Sequence, residues 1–192
     1  MEERSDFDLI KGYLAGNEAD FETLYYRHNK RLYGYLNNLL PGRSVEVDDL
    51  FQQTWLRVIA QLPKYREQGY FSAWLFRIGH NLMIDRIRRS RKERVMLELD
   101  REDMPEIESP PGEEPWREID ESELRGVIGE ALQSLSIEQR EVFLLRNDNL
   151  PFKEIAEIQQ CSINTALARM QYALKNLKNY LFHLQELHQH QE

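Results

Sequence analysis

The sequence predicts an all-α fold: two small helical domains joined by an acidic, proline-containing linker, the second a helix-turn-helix domain. Three observations predict it. Apolar residues recur at three- and four-residue spacing through both halves, and no alternating strand pattern competes. The segment Leu97 to Glu123 sets twelve acids against Arg101 and Arg117, and residues 96–120 hold four of the seven prolines. Late in the chain a short helix, a tight turn and a longer helix follow in helix-turn-helix order.

Each element has its own signal. Ser5 with Asp8, and Asn17 with Asp20, have the capping-box spacing that opens a helix. The second of these helices carries Phe21, Leu24, Tyr25, Leu32, Tyr35, Leu36 and Leu39 and stops at Pro41-Gly42. A third runs from about Val45 to Leu62 with Val47, Phe51, Trp55, Val58 and Leu62 as its buried stripe, and Pro63 ends it. The loop PKYREQGY leads to a fourth helix, Phe71 to Arg94. These helices form the first domain, residues 1–95. Like charges repel and prolines interrupt helices, so residues 96–120 read as an extended linker. In the second domain, 121–192, one helix spans Glu121 to Leu135. Ser136 with Gln139 caps the next, which ends near Arg146. Pro151 suits the first position of a short helix through Gln159, and a long helix from Ser162 reaches towards His188. Its packed stripe is Ile163, Ala166, Met170, Ala173 or Leu174, Leu177 and Leu181.

Composition bounds the function. A 192-residue chain, 41% hydrophobic, can build packed cores, and no apolar run approaches the ~20 residues of a membrane span. The start, MEERSDFDLI, lacks an apolar signal core, and Cys161 alone cannot make a disulfide framework. The chain reads as soluble and cytoplasmic. It has no glycine-rich phosphate loop, no HExxH and no paired motif carboxylates, so no catalytic residue, metal or cofactor is expected. His183, His188 and His190 fall in a polar tail that reads as a frayed helix end.

The net charge of −8 hides an uneven distribution. Leu97 to Glu123 carries −10, leaving the remainder at +2. Within FSAWLFRIGHNLMIDRIRRSRKER, the seven cations from Arg77 to Arg94 face only Asp85 and Glu93. Leu75, Ile78 and Leu82 form one stripe of this helix; Arg77, Asn81, Asp85 and Arg88 form another, nearly opposite. Guanidiniums and an amide suit phosphates and base edges, and Trp74 with Tyr65, Tyr70 and Phe71 could stack on unpaired bases. The stretch VDDLFQQTWLRV leaves Asp48, Asp49, Gln52, Gln53 and Leu56 outward, a face that repels DNA but suits a basic protein partner. In the long C-terminal helix Thr165, Arg169, Gln171 and Tyr172 are candidate readers of a DNA groove.

Laid end to end, these stretches resemble the extracytoplasmic-function sigma factors of bacterial RNA polymerase, over about Asn17 to Arg94 and Ala131 to Leu181. DDLFQQTWLRV is similar to the family's polymerase-binding helix, and FSAWLFRIGHNLMIDRIRR to its promoter-melting, minus-ten helix. The block from ALQSLSIEQREVF to MQYALKNL is similar to its minus-thirty-five helix-turn-helix. The resemblance implies a non-enzymatic initiation factor whose partners are core RNA polymerase and promoter DNA, with an anti-sigma protein as a further candidate. It places Asp49, Leu50, Gln52, Gln53 and Trp55, beside Asp48, on the polymerase contact. It places Trp74, Arg77, Asn81, Arg86, Arg88 and Arg89 on the minus-ten surface, and it implies that the acidic linker threads the polymerase RNA channel. The chain departs from the family at Gln53, where Glu is usual, and at Asn164, Leu167 and Tyr172, where Gly, Lys and Arg are usual. Two rival readings stay open: a helix-turn-helix regulator independent of polymerase, and a protein-interaction module without promoter activity.

Overall fold

The computed structural model describes residues 4–66, 70–98 and 121–189. Among them the regular structure is helical throughout. The helices are α1 (Asp6–Leu14), α2 (Glu18–Leu39), α3 (Ser44–Gln61), α4 (Phe71–Glu98), α5 (Glu121–Gln133), α6 (Ile137–Asn147), α7 (Phe152–Ile158) and α8 (Ile163–Gln189). A single 3-10 turn, Leu62–Lys64, follows α3. Residues 96–98, expected at the start of the linker, continue α4, while the rest of the linker, 99–120, and residues 67–69 of the loop before α4 lie outside the described residues.

Local chemistry sets the boundaries. The Ser5 hydroxyl accepts from the Asp8 amide at 3.2 Å, and the Ser136 hydroxyl accepts from the Gln139 amide at 3.3 Å, so both caps form. The box expected at Asn17 and Asp20 does not form: Asn17 makes no side-chain cap, and Asp20 is buried in an ion pair with Arg4. The close approach of α1 to α2 explains this, since a Cβ on Gly12 would lie 1.6 Å from the Asp20 carboxylate. Pro151 sits at the N-cap of α7 rather than inside its first turn. The turn before α8 passes through Gln160 at φ 50°, a left-handed backbone costly for a non-glycine residue, and the Cys161 amide closes it on the Ala156 carbonyl at 2.9 Å.

The core of the first four helices is aliphatic and aromatic. Leu24, Leu32, Leu36, Val47, Val58, Leu62, Leu75, Phe76 and Met83 are essentially removed from water. Truncating one such leucine costs about 2–5 kcal/mol. The later helices bury Val142, Leu145, Leu150, Ile155, Ile158, Ala166 and Ala173. Two members of the stripe expected on α8 are not packed. Ile163 and Leu181 are half exposed, as is Leu174, because the partners α5, α6 and α7 cover the side of α8 that carries Ala166 and Ala173.

The two sets of helices pack on one another. α2 lies against α6 and α4 against α7, and one apolar cluster runs through both sets. Arg140, buried on α6, ties them at the backbone. It donates to the carbonyls of Leu132 (2.7 Å), Gln133 (3.0 Å) and Leu135 (3.2 Å) at the end of α5, and to Asn38 of α2 (3.1 Å). Those carbonyls have no partner inside their own helix, so one guanidinium caps α5 and joins it to α2.

Candidate nucleic-acid and partner interfaces

The apolar side of α4 is buried at Phe71, Leu75, Phe76, Ile78, Leu82 and Met83, which turns the other stripe outward. Arg88 and Arg89 are exposed there. At the N-terminal end, Trp74 packs on Tyr65 at a centroid distance of 4.9 Å and on Phe71 at 5.7 Å, while Tyr70 remains open to solvent. Phe71 is core, so the ring surface left for a base belongs to Tyr65, Tyr70 and the exposed part of Trp74. Beside them lies a cavity of about 200 Å³ that also takes in Arg66, Arg77, Lys153, Glu154 and Glu157.

Arg77 and Asn81 point at the second set of helices rather than at open solvent. Arg77 Nη2 lies 2.6 Å from Glu157 and 3.7 Å from Glu154, both on α7. Its Nε is buried with no hydrogen-bond acceptor among the described residues. The Asn81 carbonyl oxygen accepts from Gln160 at 3.4 Å. Arg86, outside this stripe, turns to Asp49 (3.4 Å) and Glu46 (3.7 Å) of α3.

Between these contacts lies a buried polar cluster that sequence reasoning missed. Glu141 of α6 is only 4% exposed, and its carboxylate meets His80 Nδ1 at 2.6 Å, the Tyr35 hydroxyl and Gln159 Nε2 at 2.9 Å. Burial opposes ionisation of Glu141. The hydrogen bonds and charge from His80, with those of Tyr35 and Gln159, outweigh it and hold the carboxyl below its ordinary value. Burial beside that negative charge also pushes the Tyr35 phenol well up, so it stays a donor. Nothing in the local sequence announces this cluster: Tyr35, His80 and Gln159 lie 106, 61 and 18 residues from Glu141, each at an ordinary polar position.

On α3 the outward face has the predicted members. Asp48, Gln52, Gln53 and Leu56 are exposed and Asp49 is half exposed. Asp48 accepts from the Tyr33 hydroxyl at 3.0 Å and Asp49 from Gln53 at 2.9 Å. Leu50 and Trp55 require correction. They are 2% and 5% exposed, and Trp55 packs between Tyr25 (4.9 Å) and Phe21 (6.0 Å). Helical periodicity puts 47, 50, 54, 55 and 58 on the inner side, so these two can shape the face but cannot touch a partner.

On α8, Thr165, Gln171 and Tyr172 are exposed. The Ser162 hydroxyl caps the helix, accepting from the Thr165 amide at 3.1 Å, and lies 2.8 Å from the Thr165 hydroxyl. Arg169 is half-buried and bonds back to Gln159 at 2.9 Å, away from the other three. No group of three or more His, Cys, Asp or Glu side chains suited to a metal occurs among the described residues.

With this geometry in place, comparison with known proteins gives a consistent result. Residues 24–93 match the family described as Sigma-70 region 2, and residues 125–177 match Sigma-70, region 4. The chain is 30% identical over 173 residues to the ECF RNA polymerase sigma factor SigE of Mycolicibacterium smegmatis, an alignment covering 87% of this chain and 65% of that protein. It is 24% identical to the ECF RNA polymerase sigma-E factor of Escherichia coli, over 93% of this chain and 95% of that protein. Among solved structures, the sigma factor RpoE of Bartonella quintana, in complex with the anti-sigma factor NepR, has the same fold. Its TM-score is 0.64 at 22% identity, over 84% of this chain and 96% of that one. The chain thus spans just under two-thirds of the M. smegmatis relative and nearly all of the E. coli one. Two sigma-70 regions stand in their order on one chain, the first bearing the Arg and aromatic stripe of α4 and the second ending in the helix-turn-helix, and the chain belongs to the extracytoplasmic-function sigma factors of the sigma-70 family.

Proposed function

We propose that the protein is an alternative sigma factor that joins core RNA polymerase and directs it to a specific set of promoters. Residues 1–95 bind polymerase and engage the minus-ten region, residues 96–120 connect, and residues 121–192 read the minus-thirty-five element. The observation that carries this reading is the pairing, in one chain, of an open acidic-amide face on α3 with a basic, aromatic stripe on α4. The first repels DNA and fits a basic protein surface; the second fits phosphates and unstacked bases.

In this reading Asp48, Asp49, Gln52 and Gln53 touch the polymerase, with Leu50 and Trp55 holding the helix that presents them. Trp74, Arg77, Asn81, Arg86, Arg88 and Arg89 serve the minus-ten region. Thr165, Gln171 and Tyr172 face the minus-thirty-five groove, and Arg169 joins them only after leaving Gln159. The polymerase performs the chemistry, the factor works in the cytoplasm, and an anti-sigma protein is a further partner. No helix among the described residues is long and apolar enough to cross a membrane. Transcription with purified core polymerase on a genomic promoter library tests the proposal. Initiation at a small, reproducible set of sites that depends on added factor is expected. Sequence-selective duplex binding that is unaffected by core enzyme, without initiation, would assign the chain to polymerase-independent regulation instead.

A further inference from the structure

We infer that the minus-thirty-five element read by this chain is built on A·T pairs, with Asn164 and Gln171 each reading an adenine. The inference rests on the proposed function and deepens it by naming the bases that α8 takes. Ala166 and Ala173 are fully buried and fix the inner side of α8. Directly opposite, at helical spacing, stand Asn164, Ala168, Gln171 and Lys175. The exposed Thr165 and Tyr172 flank this row on one side, and the exposed Leu167 flanks it on the other. The N-terminal turns of a recognition helix are the part that reaches base edges. Asn164, Thr165, Ala168 and Gln171 therefore meet the floor of the groove.

The chemistry of that set selects the base. In the major groove guanine offers two acceptors and is best met by Arg or Lys. Adenine offers a donor beside an acceptor and is met by Asn or Gln. From Ser162 to Leu174 the only cation is Arg169, and it is turned away. Half-buried, it donates from Nη1 to the Gln159 side-chain oxygen at 2.9 Å. The Gln159 amide is fixed in that orientation, because its nitrogen donates to the Glu138 carbonyl at 3.0 Å and to buried Glu141 at 2.9 Å. The row thus presents two carboxamides and no guanidinium to the groove. Between them, Ala168 and the flanking Leu167 offer apolar contact suited to a thymine methyl. Lys175 and Lys178, exposed farther along α8, serve phosphates, which carry no sequence information. Asn164 and Gln171 are two turns apart, roughly 10.5 Å along the axis, which sets the two adenine pairs about three base steps apart.

The test is transcription by the full chain with core polymerase on a barcoded promoter library randomised over the minus-thirty-five element. Transcript sequencing should show A·T preferred at two positions about three steps apart, each by roughly tenfold over G·C. Asn164→Ala should cut the preference at one of them to under about twofold, and Gln171→Ala at the other. Gln171→Arg should move the preference at its position from adenine to guanine. Lys175→Ala should lower the yield on all sequences alike. These positions are exposed, and thermal unfolding matched to the unmodified protein shows that each variant folds. A G·C pair required at either position, or preferences that survive both alanine variants, would overturn the inference. An adenine preference unmoved by Gln171→Arg, or a base-selective loss with Lys175→Ala, would do the same. Initiation blind to the element also overturns it, and leaves the parent reading intact. Failure of the parent reading is separate: it appears as absence of factor-dependent initiation on every member of the library.

Discussion

The outer face of α3 and the outward stripe of α4 are built by the same helical arithmetic, yet the first stands mostly open and the second is partly taken. On α3 the acids and amides bond to near neighbours, Asp48 to Tyr33 and Asp49 to Gln53, and remain at the surface. On α4, Arg77 is claimed by α7 and Arg86 by α3. Neighbouring helices account for the difference, because α7 brings Glu154 and Glu157 to Arg77 while α3 brings Asp49 and Glu46 to Arg86. Whether a side chain of suitable chemistry is available to a partner is thus decided by the rest of the fold. The open face belongs to the proposed polymerase contact and the partly covered one to the proposed DNA contact.

The sharpest way to break the comparison lies within α3. Leu50→Ala should lower stability by about 3 kcal/mol in urea titrations, whereas Leu56→Ala should change it by less than about 0.5 kcal/mol. Equal effects would mean that the inner and outer sides of α3 have been exchanged. A second test probes the open face itself. Asp48→Lys with Gln52→Lys should weaken binding to core polymerase by about 2 kcal/mol, roughly 30-fold, while stability stays within about 0.5 kcal/mol. Undiminished binding in a titration with core enzyme would remove α3 from the contact.

A smaller effect concerns the covered side. Glu141 is held below the ordinary carboxyl value of 4.5, so its contribution to stability is fully present above that pH. It is lost as pH falls through the lowered value, when the carboxylate facing His80 takes up a proton. Stability profiles from pH 7 down to pH 3 should therefore fall more steeply for the unmodified protein than for Glu141→Gln. The divergence should begin below 4.5 and amount to on the order of 1 kcal/mol. Parallel profiles would show that Glu141 is not the linked group. The smallest effect is expected at the turn. Gln160→Gly relieves the left-handed backbone at φ 50° and removes the contact to Asn81. Thermal unfolding should shift upward by the equivalent of about 0.5–1 kcal/mol.

Much of the fold was legible because the signals were local. Ser5, Ser136, the Pro41-Gly42 stop and the 3-and-4 spacing on α2 act within one or two turns of chain. The outward members of α3 could be read for the same reason. Leu50 and Trp55 could not be assigned correctly from likeness of sequence, because a motif carries the core that supports a contact along with the contact itself. Their own apolar spacing was the better guide. Ile163 and Leu181 illustrate the converse limit: an apolar stripe marks a side fit for packing, and only the neighbouring helices decide how much of it is covered. The pairing of Glu141 with Tyr35 and His80 depends on how the two halves meet, which no spacing within either half encodes.

The Glu141 cluster also bears on exchange of parts between proteins. A chimera that joined this chain's first four helices to a foreign helix-turn-helix would inherit Tyr35 and His80 as a socket cut for a carboxylate. If the donor presented an apolar side chain there, two buried polar groups would lose their partner on docking, a penalty of about 1–3 kcal/mol each. The hybrid would then rest with its halves apart. If the donor supplied an acid at that place, the graft would seat and the resting form would be preserved. A single position on α6 therefore works as a compatibility key, determining which second halves this first half accepts as its own.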